Sequence, residues 1–307
     1  MDTADDHRAQ VRDFLASRRE RITPQQAGLP VYGGSNRRVK GLRREEVALL
    51  AGVSIDYYVR MERGTLAGAS DAVLGGVADA LQLDEAEREH LFALARAAGP
   101  AAQRRVRPVA KAVRPVIQQV LDAVTAAPAW VRNARHDILA MNELATALYA
   151  PVLASAVAGA SGKRPANTAR FMYLDPAAAR DFFVDYDRIV SDAAAMLRLE
   201  AGRNPYDREL ITLVGELSMQ SELFRQHWAL HDVKFHRSGR KRLRHPAVGE
   251  LDLNFEAMEL PSEPGLRLNV YTADPDTPTA DGLKLLASWA ATRAAEAAHT
   301  ASSRQHS

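Results

Sequence analysis

The stretch LRREEVALLAGVSIDYYVRMERG, residues 42–64, decides the fold of the first part of the chain. It reads as a helix, a tight turn and a second helix. Gly52 stands where the first helix must end in a left-handed conformation, which glycine adopts at the least cost. Ser54 is placed to accept a hydrogen bond from the amides that open the second helix. This spacing is typical of a helix-turn-helix, whose second helix enters the DNA major groove.

A plain helical hairpin inside a bundle is the alternative interpretation of this stretch. Two features favour DNA binding over it. The first hundred residues carry about five helical patterns, and the motif is flanked by basic side chains, as phosphate contact requires. We therefore predict that Asp56, Tyr57 and Arg60 discriminate bases, with Arg60 suited to guanine. The predicted phosphate contacts are Arg37, Arg38, Lys40, Arg43 and Arg44.

Composition bounds the class of protein. The chain has 307 residues, of which 47% are hydrophobic and 25% charged, and its net charge is +2. This length suggests two domains, and these fractions are ordinary for a soluble globular protein. The absence of cysteine excludes disulfides, thiol nucleophiles and zinc–cysteine sites. We find no secretory signal and no apolar run long enough to span a bilayer, so we expect a cytoplasmic protein without a membrane partner.

A change of composition near residues 99–115 divides the chain. The sequence PAAQRRVRPVAKAVRP mixes Pro, Ala and Arg without a clear period, which is typical of a linker. We predict a helix-turn-helix domain over 1–99, a linker over 100–115, a second domain over 116–295 and a disordered tail over 296–307.

The second domain combines helices with strands. Residues 129–142 predict two short strands, and helical patterns follow. From Val233 the period changes to two, so that VKFHR, a turn at Ser238–Gly239 and KRLRH predict a hairpin. LDLNFEAMEL and LRLNVYT alternate in the same way. Five strands with helices inserted after the second fit an antiparallel sheet covered on one face, in an α+β domain.

Both halves resemble one family. The motif at 42–64 is similar to the signature of MmyB-like regulators, a branch of the lambda-repressor-like (Cro/XRE) regulators with a five-helix N-terminal domain. PAWVRNARHDILAMN, LVGELSMQSELFRQHWALHDV, HPAVGELDLNFE and LRLNVYTA resemble the ligand-binding domain of the same family. The resemblance implies a PAS-like second domain that holds a fatty-acid-like molecule between its sheet and its helices.

The resemblance also implies roles for individual residues of the motif. Ser54, Asp56, Tyr57 and Arg60 match base-facing positions. Arg43, Arg44 and Arg63 match phosphate-contacting positions. The motif departs from the wider repressor pattern where Arg43 and Arg44 replace a Ser or Thr followed by Gln, so phosphate clamping is expected there instead of a glutamine contact.

Candidate ligand contacts rest on large or polar side chains near the ends of predicted strands and helices. A core role is the alternative for each aromatic residue, and capping of the next helix is the favoured role of Asn142. His231 and His245, with Arg242 or Arg244, form a candidate carboxylate site, or the basic hairpin is a solvated sheet edge. The candidates are Trp130, Met141, Asn142, Phe171, Trp228, His231, His245 and Tyr271.

The sequence contains no complete motif for catalysis or for metal binding. His227 and His231 have helical metal-ligand spacing, but Trp228 stands where a metalloprotease needs Glu. Gly162-Lys163 lacks the remainder of a phosphate loop. We therefore predict a non-enzymatic regulator, without metal or cofactor, that binds a two-fold symmetric DNA operator as a homodimer and senses a small apolar or fatty-acid-like ligand. Two alternatives stay open: a second domain that only dimerises or binds a protein, and an enzyme fused to a DNA-binding head.

Overall fold

A computed structural model describes residues 3–29, 39, 41–98, 112–161 and 164–305. The chain forms two compact units. The first contains the described residues of Met1–Arg107 together with Ala194–Val214 and Arg225–Phe235, and the second contains the remainder. Each unit therefore draws on segments that are distant in sequence.

Five helices form the N-terminal part of the first unit. Both expected local signals are present: Gly52 has φ +67°, and Ser54 accepts from the amide of Tyr57 at 3.2 Å. Asp84 and Glu87 form a capping box at the start of the fifth helix. The helix-turn-helix prediction is confirmed at this level. The helices are α1 (Thr3–Arg21), α2 (Arg44–Leu50), α3 (Ile55–Glu62), α4 (Asp71–Ala80) and α5 (Glu85–Ala97).

The core of the first unit is apolar and closely packed. Val11 and Leu15 of α1, Val47 of α2 and Tyr58 of α3 are fully buried in one cluster. Gly76 lets α4 approach α2, since a Cβ there would lie 2.7 Å from the carbonyl oxygen of Ala51. Burial of this kind contributes about 1.5–3 kcal/mol for each large side chain and holds the helix pair at a fixed angle.

Two segments from beyond residue 190 complete this unit. Leu199 and Val233 are buried in the same apolar cluster as α1 to α5. Gly202 lies against α5, because a Cβ at Gly202 would be 2.4 Å from the ring of His90. The helical head is therefore packed against residues that the sequence assigns to the second domain.

The second unit is built around a five-stranded antiparallel sheet, as predicted, and the structure gives the strand order β2-β1-β5-β4-β3. The strands are β1 (Ala129–Asn133), β2 (Ile138–Met141), β3 (Ser238–His245), β4 (Gly249–Glu259) and β5 (Leu266–Thr272). The remaining helices, some of which run through both units, are α6 (Pro115–Ala123), α7 (Glu143–Leu148), α8 (Ala150–Ala154), α9 (Thr168–Leu174), α10 (Pro176–Phe182), α11 (Tyr186–Arg203), α12 (Arg208–Gln220), α13 (Glu222–Ala229) and α14 (Pro278–Gln305).

Two local expectations are wrong. Ser238 and Gly239 open strand β3 instead of forming a turn, and the hairpin partner of β3 is β4, with His245 opposite Gly249. The alternation of KRLRH was assigned correctly, but the preceding VKFHR is not a strand. Helix α14 continues to Gln305, through the stretch predicted to be a disordered tail.

The two faces of the sheet differ in chemistry. Ala129, Val131 and Leu266 point to one face, where Leu121 of α6 packs on them. The opposite face carries Trp130 and Tyr271, which contact rings from the helices that follow β2. We call this second side the inner face, to distinguish it from the face on which α6 packs.

Candidate functional sites

The second helix of the motif presents a polar outer side. Tyr58 and Met61 of α3 are buried, whereas Ser54, Asp56 and Arg60 are exposed. Tyr57 is half-buried, and the guanidinium of Arg60 lies 4.8 Å from the centre of its ring. This contact limits the directions in which Arg60 extends, which is a useful property for a side chain that reads a base edge.

Arg44 takes part in an internal ion network. Its guanidinium donates to Glu62 at 3.1 Å and 3.0 Å, and Arg19 of α1 binds the same carboxylate through two atoms at 3.0 Å. Glu62 is 2% exposed. Burial acts to raise the pKa of Glu62, but the hydrogen bonds from Arg19 and Arg44 outweigh it and hold the pKa below its usual value. The network ties α1, α2 and α3 together.

The other predicted phosphate contacts divide into two groups. Arg43 is half exposed and pairs with Glu45 at 3.2 Å, a surface contact that a phosphate can replace at little cost. Arg63 is exposed just after α3. Arg37, Arg38 and Lys40 lie outside the described residues.

The inner face of the sheet in the second unit is aromatic. The ring of Tyr149 lies 5.0 Å from that of Trp130 and 6.1 Å from that of Tyr271, and the two tyrosine hydroxyls are 2.6 Å apart. Phe182 contacts both Tyr149 and Phe171. These rings form one continuous apolar lining between strands and helices.

The side chain of Lys241 lies against this aromatic lining. The ammonium of Lys241 on β3 lies 5.4–6.0 Å from the ring centres of Phe183, Phe255 and Tyr271, and 3.4 Å from the Tyr271 hydroxyl. We find no ion pair to Lys241 within the described part of the chain. Lys241 is half-buried, and its ammonium is at a distance from these rings at which cation–π attraction contributes.

Two arginines of neighbouring strands lie on the same face of the sheet as the aromatic lining. Arg132 on β1 is directly opposite Arg267 on β5. Like charges at such positions destabilise a sheet, and Arg132 is only 3% exposed. Glu259 pairs with Arg267 at 2.9 Å, which offsets one of the two charges. Both guanidinium groups lie on the same side of the sheet as Trp130 and Tyr271.

Two histidines, His136 and His236, lie near the cations Lys241 and Arg132. Nδ1 of His136 is 3.2 Å from the Thr168 hydroxyl, and its Nε2 is buried without a hydrogen-bond partner among the residues that the structure describes. Burial, with the charges of Arg132 and Lys241 nearby, holds the pKa of His136 well below its usual value. His236, stacked on Phe255 at 4.2 Å, has its pKa lowered by the same causes. Both imidazoles are therefore neutral near pH 7, and the positive charge at this site comes from Lys241 and the arginines.

The structure brings together some of the predicted ligand residues and separates others. Trp130, Phe171 and Tyr271 lie in the aromatic lining. Met141 is directly opposite Trp130 in the β1–β2 pair. Asn142 caps α7, accepting from the amide of Ala145 at 2.8 Å, which is the structural role favoured for it.

Members of the predicted histidine–arginine carboxylate site have other partners in the structure. His231 belongs to the first unit and His245 to the second; Trp228, also in the first unit, stacks under Arg198 at 4.0 Å. His245 uses both ring nitrogens, donating to the carbonyl of Ala147 and accepting from the amide of Ala247. Arg242 pairs with Asp185, and Arg244 lies 3.9 Å from Glu250.

Sequence reasoning missed Lys241, Arg132 and His136. For Lys241 the signal was available, since strict alternation in KRLRH places it on the same side as Leu243 and His245, both buried. For Arg132 and His136 the sequence contains no comparable signal. Their positions depend on the β1–β5 register and on the positive φ of 68° at His136.

Comparison with known proteins identifies both halves of the chain. Residues 10–91 match a helix-turn-helix domain model, and no curated protein matches the chain. None of the helices in the described ranges has the length and apolar character needed to cross a membrane. Residues 113–286, more than half of the chain, match the model of the MmyB-like transcription regulator ligand binding domain. The chain therefore belongs to the family of MmyB-like transcription regulators, DNA-binding proteins with a helix-turn-helix domain and a ligand-binding domain.

Proposed function

We propose that this regulator senses an amphipathic carboxylate of the fatty-acid type on the inner face of its sheet. The observation that carries the proposal is Lys241, an ammonium without an ion pair among the described residues and bordered by three aromatic rings. A carboxylate at this point forms a charge-assisted hydrogen bond with Lys241. The alkyl chain then lies along the rings of Tyr149, Phe171 and Phe182.

Replacing Lys241 tests this site. We expect Lys241→Met to weaken binding of dodecanoate by about 10–100-fold, because a hydrogen bond to a charged group contributes about 1.5–3 kcal/mol. Dodecanol, which has the same chain and no charge, should bind both proteins alike. Isothermal titration calorimetry on the full chain measures both affinities.

Arg240→Met is the matched control for that substitution. Arg240 is the neighbouring residue on β3, its side chain is exposed, and it pairs with Asp252 at 2.8 Å. We expect its replacement to leave dodecanoate binding unchanged. If Lys241→Met bound dodecanoate with the affinity of the wild type, the proposed carboxylate site at Lys241 would be wrong.

The resident ligand can be sought without assuming its identity. Native mass spectrometry of the purified protein, followed by organic extraction, reports any small molecule bound in stoichiometric amounts. A fatty acid on a dimer supports the proposal in full. A protein free of ligand that also fails to bind dodecanoate favours the second candidate function below.

We propose that the protein binds a two-fold symmetric operator as a homodimer, because one helical head covers a single half-site. Asp56, Tyr57 and Arg60 are the proposed base contacts, with Ser54 at the start of α3. Arg43 and Arg63 are the proposed phosphate contacts, together with Arg37, Arg38 and Lys40. Arg44 is exposed enough to reach a phosphate as well, but it also holds Glu62.

Arg60 and Arg63 separate base reading from phosphate contact. We expect Arg60→Ala to cost about 1–3 kcal/mol on the specific operator and to reduce the preference for it over random DNA. Arg63→Ala should weaken binding to both DNAs by a similar factor and lower the slope of affinity against salt. Fluorescence anisotropy at several salt concentrations measures these effects. An unchanged preference in Arg60→Ala would show that Arg60 does not read bases.

A second candidate function rests on the packing of the inner face. Phe182 lies 4.9 Å from Phe183, and Phe171 is 6.0–6.1 Å from both, so the rings contact one another directly. A core filled in this way favours a domain that dimerises or binds a protein. The dodecanoate titration discriminates the two, since a filled core gives no saturable binding.

A further inference from the structure

A second recess in the ligand-binding unit lies away from the aromatic lining. It has a volume of about 690 Å³ and is bordered by α6, the end of β2, α7, α8 and α14. Helix α7 separates the two regions: it is followed by Tyr149, whose ring lies in the aromatic lining, while Thr146 and Ala147 border the recess. Sites of about 300–1,000 Å³ accept small organic molecules.

Small side chains create the space. Ala147, Ala150 and Ala154 border the recess from the α7–α8 side, and any larger side chain there would reduce its volume. Met141, Leu153 and Trp289 supply larger apolar surfaces around it. An occupant therefore needs an apolar body that lies against alanine methyl groups and an indole ring.

The charged groups at the recess are carboxylates. Asp122 of α6 and Glu143 of α7 both border it, and the lining contains no basic side chain. Neither carboxylate forms an ion pair among the residues that the structure describes; Asp122 accepts one hydrogen bond, from Gln118 at 2.7 Å. The electrostatic potential at the recess is therefore negative and opposite in sign to that around Lys241.

We propose that this recess binds an amphipathic organic cation, an alkyl- or arylammonium compound, separately from the carboxylate site. The cationic head lies between Asp122 and Glu143. The apolar body lies against Met141, Leu153 and the ring of Trp289, whose face also attracts cations. The regulator then carries two small-molecule sites of opposite charge preference in one domain.

The test uses decyltrimethylammonium below its micelle concentration, with decanol as the neutral probe and the full-length protein in the calorimeter. We expect the double variant Asp122→Asn/Glu143→Gln to bind the cation about tenfold more weakly and decanol unchanged, since two exposed carboxylates each contribute a modest attraction. The matched control is Asp181→Asn/Glu256→Gln, two exposed carboxylates elsewhere in the unit, which should leave the cation affinity as in the wild type.

A third variant locates the apolar body. Ala150→Leu should reduce binding of both probes while leaving the dodecanoate affinity unchanged, which separates this proposal from the carboxylate site. Equal affinity of the wild type and the double variant for the cation would overturn the proposal. So would loss of the dimer in Ala150→Leu without any effect on the probes, because the recess would then be an interface between two copies of the chain.

Discussion

Glu62→Gln is expected to destabilise the helix-turn-helix head by about 3–5 kcal/mol. The substitution leaves Arg19, whose side chain is 9% exposed, without its buried anionic partner and with only the exposed Glu20 at 4.0 Å, and breaking one side of a buried ion pair carries a cost of this size. Glutamine has nearly the same volume as glutamate, so the effect reports charge and not packing. Hydrogen exchange of peptides from α1, α2 and α3 in the full chain measures it as a fall in the opening free energy.

Glu45→Gln is the control for this prediction. Glu45 is on α2 as well and pairs with Arg43, but both side chains are about half exposed. Surface pairs contribute about 0–1 kcal/mol, so we expect little change in exchange. Equal effects of the two substitutions would mean that the Glu62 network does not hold the three helices together.

The pH dependence follows from the direction of the pKa shift. Because the folded protein holds the pKa of Glu62 below its ordinary value of 4.5, the stabilisation is fully present above that value. It is lost as the pH falls through the lower pKa of the folded state. The wild type should therefore lose stability on acidification below about pH 4.5, and Glu62→Gln should show a smaller loss over the same interval.

Local signals in the sequence predicted the helical head well. The turn at Gly52 and the cap at Ser54 depend on residues within a few positions of one another, and each is found as expected. The burial of Glu62 could not be predicted in this way. Its partner Arg19 is 43 residues away, and a charged residue in a helix is usually solvated.

The ligand-binding unit was predicted in outline only. Alternation identified strands β4 and β5, but the sign of the charge on each face depends on which alternate residue points inward. Lys241 and Arg242 are adjacent and basic, yet one lies against aromatic rings and the other pairs with Asp185. Sequence composition treats them alike, whereas the sheet places them on opposite faces.

Arg18→Met is expected to loosen residues 225–235 from α1 and α5. Arg18 is 2% exposed; its Nε lies 2.8 Å from a Glu87 oxygen, its Nη1 lies 3.6 Å from Asp232, and it donates to the carbonyl of His231. Methionine fills much of the same space but supplies none of these contacts. We expect a cost of about 2–3 kcal/mol, at the low end for a buried pair because Asp232 is about one-third exposed.

This contact joins the two matched regions of the chain, since Arg18 lies in the helix-turn-helix match and Asp232 in the ligand-binding match. A cost of about 2–3 kcal/mol corresponds to roughly 30–150-fold faster hydrogen exchange in residues 225–235. Arg8→Met on the same helix is the control, because Arg8 is exposed and its ion pair among the described residues is with the exposed Asp5. Unchanged exchange of 225–235 in Arg18→Met would show that apolar packing through Val233 alone holds this segment. Faster exchange would show that the contacts of Arg18 hold this segment against α1.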